Sequence, residues 1–150
     1  MTVDTDMIMS PNFVRGIWDA SLLPPGELRD ACMIIGSVFA DWFRIRGLET
    51  VKFPFNGRSD FAPFMDKGVP SGGVITGEDE IKTIEEAGVF GGIAGMVLDP
   101  CYHQDCDRLM NLQGPSMIIL KENVQVLAYA LEVFSKTSSI AGCLSGLNSC

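Results

Sequence analysis

The stretch VPSGGVIT (69–76) decides the fold. A short apolar run bounded by turn-forming residues reads as a buried strand. Its Gly72-Gly73 pair would weaken that strand unless the backbone must approach something closely there. Before it, Ser59 is suited to cap a short helix over 60–67, which Gly68 ends. After it, 80–88 reads as a helix with its acidic residues near the start. Further out, 51–55 reads as a strand. In 27–46, Leu28, Met33, Ile34, Ile35, Val38, Phe39, Trp42 and Phe43 recur at three- and four-residue intervals, as on a helix. Pro25 lies just before that helix and Gly47 stands at the position where a left-handed residue stops it.

Toward the ends of the chain, a strand reaches about Asp6 before Ser10-Pro11-Asn12 breaks it, and a brief strand at 96–98 runs into Asp99-Pro100. Pro115 opens a long helix to Lys136, with Ile118, Ile119, Val124, Leu127, Leu131 and Phe134 expected inward. The Ser- and Gly-rich residues 137–150 are expected to fray as a flexible tail, which leaves 1–136 as one unit. Strands alternating with helices imply an α/β fold: three layers, a largely parallel sheet and flanking helices. The first strand begins almost at Met1, with nothing ahead of it to build the sheet's edge. The expectation is a piece of a larger fold whose N-terminal half is absent.

Composition narrows the function. With 150 residues, 47% hydrophobic and 20% charged, the chain can bury a core and is not globally disordered. The formal net charge of -8 argues against a nucleic-acid groove, which needs clustered Lys and Arg. No stretch approaches the ~20 apolar residues of a membrane span. The first residues lack the basic and apolar regions of a signal peptide. None of the five cysteines forms a Cys-x-x-Cys pair, so zinc ribbons and thioredoxin-like motifs are out. Cys32 reads as a buried thiol, and Cys101 and Cys106 are close enough to staple one loop. His103 is the single histidine, so no mechanism needing two fits within this chain.

Ligands of open α/β sheets bind at the carboxyl ends of strands. Asp6 falls at one such end and His103 shortly after another. A carboxylate and an imidazole are suitable zinc ligands, but a catalytic zinc needs about three plus water. A lone histidine is equally a hydrogen-bonded or surface loop residue. Arg58 can be a plain surface cation, and Asp60 reads as a first-turn residue favoured by the helix dipole rather than as a ligand.

The strings TDMIMSPNF (5–13), GRSDFAPF (57–64), GVPSGGVITGEDEIKT (68–83), GGIAGMVLDPCYHQDCD (91–107) and NL (111–112) add to this. In that order they resemble the double-zinc aminopeptidases, the group of aminopeptidase Y and bacterial leucyl aminopeptidases. The resemblance covers about residues 4 to 135. It implies that Asp6 and His103 each bind one of two zinc ions sharing a bridging hydroxide. It also implies that Tyr102 donates to the developing oxyanion, and that Cys101 pairs with Cys106. Met7, Gly57, Arg58 and Ile75 would line the pocket for the substrate's first side chain, favouring apolar residues. The partner implied is a peptide with a free N-terminus.

Relatives of this kind place a His, a bridging Asp and a Glu-Glu pair upstream of the segment matching Asp6, and this chain starts after them. The resemblance therefore implies a fragment of the enzyme that is inactive alone. The alternative is a non-catalytic interaction module on a peptidase scaffold. The family resemblance implies a secreted or vacuolar protein, whereas the chain as written has no export signal and would stay cytoplasmic. Oligomeric state is not readable from these residues.

Overall fold

The structure, a computed structural model, describes residues 1–7, 9–112 and 114–146. Four strands form one sheet: β1 (Thr2–Asp6), β2 (Gly16–Asp19), β3 (Val51–Pro54) and β4 (Ser71–Ile75), in the order β1-β4-β2-β3. The pairs β1·β4 and β2·β3 are parallel, and β2 runs antiparallel to β4. The sheet is thus mixed, not largely parallel. The cause is β2, which the sequence reading passed over because FVRGIWDA has no clean alternation. It is four residues long and buries nearly all of itself.

Side chains alternate across the sheet. Val3, Ile17 and Val74 face the helices α1 (Glu27–Ile45), α4 (Pro115–Lys136) and α5 (Ile140–Leu144). Trp18, Ile75 and half-buried Phe53 face the other way, into an aromatic cluster with Phe61 and Phe55. That second face is covered by the short helix α2 (Ala62–Met65) and the segment leading to it. Among the described residues, it lacks a helical layer like the one opposite.

Helix α1 matches the sequence pattern. Ile35, Val38, Phe39, Trp42 and Phe43 are buried, and Gly47 adopts a φ of 66° just past the end. Cys32 is a buried free thiol. The glycine pair in β4 has the close approach it called for. A Cβ on Gly73 would lie 1.6 Å from the Asp4 carbonyl oxygen, and one on Gly72 would lie 2.4 Å from Ile35 Cγ2.

Other expectations shift. The first short helix begins after Phe61, because the Ser59 hydroxyl donates to buried Asp4 Oδ2 at 2.6 Å instead of capping. Exposed Asp60 lies ahead of that helix. The helix α3 (Ile84–Phe90) starts later than 80, where Thr83 and Glu86 form a capping box. The brief strand at 96–98 reduces to one bridge between Ile81 and Val97. In α4 the inward face is Ser116, Ile119, Asn123, Val126, Ala130 and Phe134, so Ile118, Val124 and Leu131 are exposed. Apolar residues encircle much of that helix, and only its docking on α1 selects the buried stripe. Within the stretch expected to fray, α5 buries Cys143 and Leu144, and residues 147–150 lie outside the described residues.

Candidate functional site

Strands β1 and β4 end side by side, with Asp6 opposite Ile75. The alternation places Asp6 on the aromatic face with Asp4 and Ile75. The next residue, Met7, has a φ of 46° and packs against the Trp18–Phe61–Ile75 cluster. A positive φ is uncommon for a non-glycine residue and marks a constrained position. The backbone N–H of Thr76 holds Met7 by donating to its carbonyl at 3.2 Å.

Strand β3 starts at this end of the sheet and points away from it. Residues 55–61 then fold back across the aromatic face, where Phe55 stacks on Trp18 at 5.8 Å and Phe61 meets it edge-on at 4.9 Å. That return brings Gly57, at a φ of 76°, and Arg58 to the rim. Arg58 Nη2 donates to Asp79 Oδ1 at 3.0 Å and lies 2.9 Å from Glu78 Oε2. Its guanidinium also sits 5.9 Å from the centre of the Tyr102 ring. Arg58 is therefore tied into the site and is more than a surface cation.

Tyr102 and His103 lie on a loop clipped by the Cys101–Cys106 disulfide, with Cα atoms 5.3 Å apart. Asp99 Oδ1 accepts from the Cys101 N–H at 2.9 Å and fixes the loop's entry. His103 has a φ of 54°, is exposed, and stacks on Tyr102 with ring centroids 4.0 Å apart. Burial and the negative charges of Glu78 and Asp6 push the Tyr102 hydroxyl above its ordinary value, outweighing the Arg58 charge. The phenol stays protonated at neutral pH and available as a donor.

Three side chains at this rim escaped the sequence reading: Glu78, Asp79 and Glu80. Glu78 is fully buried. Its carboxyl is pushed up to about 7, by burial first and then by Asp6, Glu80 and Asp79, against the opposing pull of Arg58. Neither of its oxygens accepts a hydrogen bond, although Arg58 is 2.9 Å away. Arg58 Nη2 donates one of its two hydrogens to Asp79 and forms an ion pair with the buried Glu78 carboxyl. The signal was present as GEDE (77–80), three acids immediately after an apolar strand, but only Glu80 was read, as the start of a helix, and Glu78 and Asp79 were assigned nothing.

Around the site, buried Lys82 donates to the Phe13 carbonyl at 2.7 Å and to the Asn12 carbonyl at 3.2 Å. Desolvation lowers its pKa. Asn12 in turn accepts from the Ile93 N–H at 2.9 Å and donates to the carbonyls of Ile93 and Val97 at 3.1 Å. Ser10 and Thr76 share a buried hydroxyl pair at 2.8 Å.

Asp6, Met7, Ile75, Arg58, Tyr102 and His103 thus come from segments far apart in sequence to one end of the sheet. Gly57 stands exposed beside Arg58. In kind, Asp6 and His103 offer a carboxylate oxygen and an imidazole nitrogen, donors of the type that zinc accepts. In number they supply two, where a catalytic zinc uses about three and water. Glu78, Asp79 and Glu80 form a further acidic group that could hold a cation.

Comparison with known proteins covers most of the chain. The chain is 34% identical over 137 residues to an "Aminopeptidase" of Pseudomonas aeruginosa (strain UCBPP-PA14), covering 87% of this chain and 25% of that protein. It is 35% identical over 138 residues to a "Probable leucine aminopeptidase 2" of Aspergillus fumigatus (88% and 26%). To a "Leucine aminopeptidase 2" of Trichophyton rubrum it is 32% identical over 137 residues (88% and 26%). The chain spans about a quarter of the length of these relatives. The family profile of peptidase family M28 matches residues 38–128, more than half of the sequence. The chain belongs to peptidase family M28.

Proposed function

We propose that residues 1–136 form the C-terminal part of a zinc-dependent aminopeptidase domain that removes N-terminal residues from peptides. The observation that carries this reading is the convergence of Asp6, Arg58 and His103 on Tyr102. His103 stacks on its ring, the Arg58 guanidinium lies 5.9 Å from the ring centre, and the Asp6 charge acts on its hydroxyl.

Asp6 and His103 would hold the metal, and zinc when bound would supply Lewis-acid polarisation of the scissile carbonyl. The protonated Tyr102 hydroxyl would donate to the oxyanion as charge develops there. Met7 and Ile75, backed by Trp18, Phe55 and Phe61, offer an apolar wall for the substrate's first side chain, with Gly57 and Arg58 at its edge. The carboxylates of Asp6, Asp79 and Glu80 favour the peptide's terminal ammonium.

Two such ligands are too few for two zinc ions, and no general base stands among the residues assigned here. The 150-residue chain alone should therefore not turn over a leucine-linked chromogenic amide with added zinc; clear turnover would defeat that expectation. The ligand shortage supports a second reading, a non-catalytic interaction module. The two part over Tyr102→Phe, placed in a polypeptide of the relatives' length that contains this chain. Loss of the oxyanion donor should lower kcat by roughly 10²–10³ in the peptidase, whereas in a module it changes no activity.

A further inference from the structure

Glu78 has no part in the reading above, yet it is built into the frame that carries Tyr102. Its carbonyl accepts from the Asp99 N–H at 2.8 Å, and the Asp99 carboxylate accepts from the Cys101 N–H at 2.9 Å. Gly77, just before it, passes Leu98 at a φ of 101°, where a Cβ would lie 2.1 Å from Leu98 Cδ1. The segment is thereby fixed against the entry of the loop that bears Tyr102. From this position the fully buried Glu78 side chain pairs with Arg58 Nη2 at 2.9 Å. Arg58 arrives on a separate segment, the return of 55–61, and its guanidinium lies 5.9 Å from the Tyr102 ring centre. The Tyr102 hydroxyl is within hydrogen-bonding reach of that guanidinium.

We propose that Glu78 is a positioning residue: it holds Arg58 against Tyr102 so that the phenol O–H points at the developing oxyanion. The proposal rests on the peptidase reading given above. A guanidinium carries five donors and no acceptor, so its contact with the phenol runs only from Arg58 to the phenol oxygen. The phenol's own hydrogen is then left for the substrate. Arg58 needs an anchor to do this, because its side chain is long and 42% exposed. Asp79, its other partner, is 61% exposed, and an ion pair in water contributes little. The Glu78 carboxylate is cut off from water, so its attraction for the guanidinium is weakly screened and gives that group one fixed place.

The test is steady-state kinetics on a leucine-linked chromogenic amide, using a zinc-supplied polypeptide of the relatives' length that contains this chain. The assay is run above the value of about 7 to which burial pushes Glu78, so that the carboxyl is charged. Glu78→Gln keeps the shape and removes the charge. It should lower kcat on the order of tenfold, part of what loss of the donor itself costs, and change KM by less than about twofold. In a Tyr102→Phe background the same substitution should change nothing further, since the two act as a unit. Arg58→Lys keeps the charge but loses the planar fork, and should lower kcat likewise. Arg58 is exposed, so that variant carries the test if Glu78→Gln does not fold. An unchanged kcat in Glu78→Gln, or in Arg58→Lys where it stands in, overturns the proposal. A rise in KM alone also overturns it, by placing Glu78 in substrate binding. Equal losses with and without the Tyr102 hydroxyl overturn it too, because Glu78 then acts elsewhere. A wild-type polypeptide without turnover would sink the peptidase reading itself, whereas an active one indifferent to Glu78→Gln sinks this proposal alone.

Discussion

Helix α1 buries eight of its 19 residues, whereas α3, seven residues long, buries none. The same contrast separates the two regions they belong to. On the helix-covered face, many apolar side chains share one core, and no single contact decides it. At the rim, 76–112, single polar anchors hold the chain: Asn12 on 93–97, Lys82 on 12–13, the Cys101–Cys106 clip and the Ser10–Thr76 hydroxyl pair. Apolar packing is additive and non-directional, so it tolerates approximate register. Hydrogen bonds to fixed partners do not; of the two non-glycine residues with positive φ, His103 lies within this region and Met7 is held to it by the Thr76 N–H.

The largest expected effect tests the redundant side. Phe39→Ala, at a fully buried position, should cost about 3–5 kcal/mol of global stability, read as a fall in the urea midpoint of the whole chain. A loss confined to the rim would break the contrast.

Next comes the charge of Glu78 in the metal-free chain. Burial pushes its carboxyl up to about 7 in the folded chain, against about 4.5 for an ordinary glutamate. Between those values the folded chain holds a proton that the unfolded chain has released, so stability falls as pH rises through the window. Relative to Glu78→Gln, which cannot titrate, wild-type unfolding free energy should drop on the order of 2–3 kcal/mol from pH 4 to pH 8. Parallel curves for the two proteins would refute this.

A smaller effect separates local from global order. Asn12→Ala removes the side-chain bonds to Ile93 and Val97 and should cost about 1 kcal/mol globally. Hydrogen exchange at the Ile93 amide should accelerate far more than that at β4. Equal acceleration in both would mean that rim and core open together. The smallest effect has the opposite sign. Gly88 lies within α3, and an added Cβ there meets nothing within 4 Å. Gly88→Ala should therefore stabilise α3 by about 0.5–1 kcal/mol, seen as slower exchange along 84–90.

Local signals carried the reading of the helical side. The bounds of α1 and α4 came within a residue of the structure because Pro, Gly and helical spacing are properties of neighbouring residues. The buried stripe of α4 was legible only in part: Ile119 and Phe134 are buried as expected, but Ile118, Val124 and Leu131 are as apolar as the residues chosen over them. Strand β2 escaped because four residues carry too little pattern. At the rim, the motif strings pointed to Asp6, Tyr102 and His103 through resemblance, while spacing alone left a lone histidine ambiguous. Glu78 was invisible as a buried group, because burial depends on what folds over a residue and not on its neighbours in sequence.

By itself the sequence determined the α/β class, the long helices and the family, all of which rest on local order along the chain. Only the tertiary structure decided the antiparallel placement of β2, the face α4 turns inward, and the meeting of Arg58 with Glu78, Asp79 and Tyr102. Those depend on contacts between segments 20 to more than 40 residues apart, and no local pattern encodes which of several apolar or charged candidates will meet.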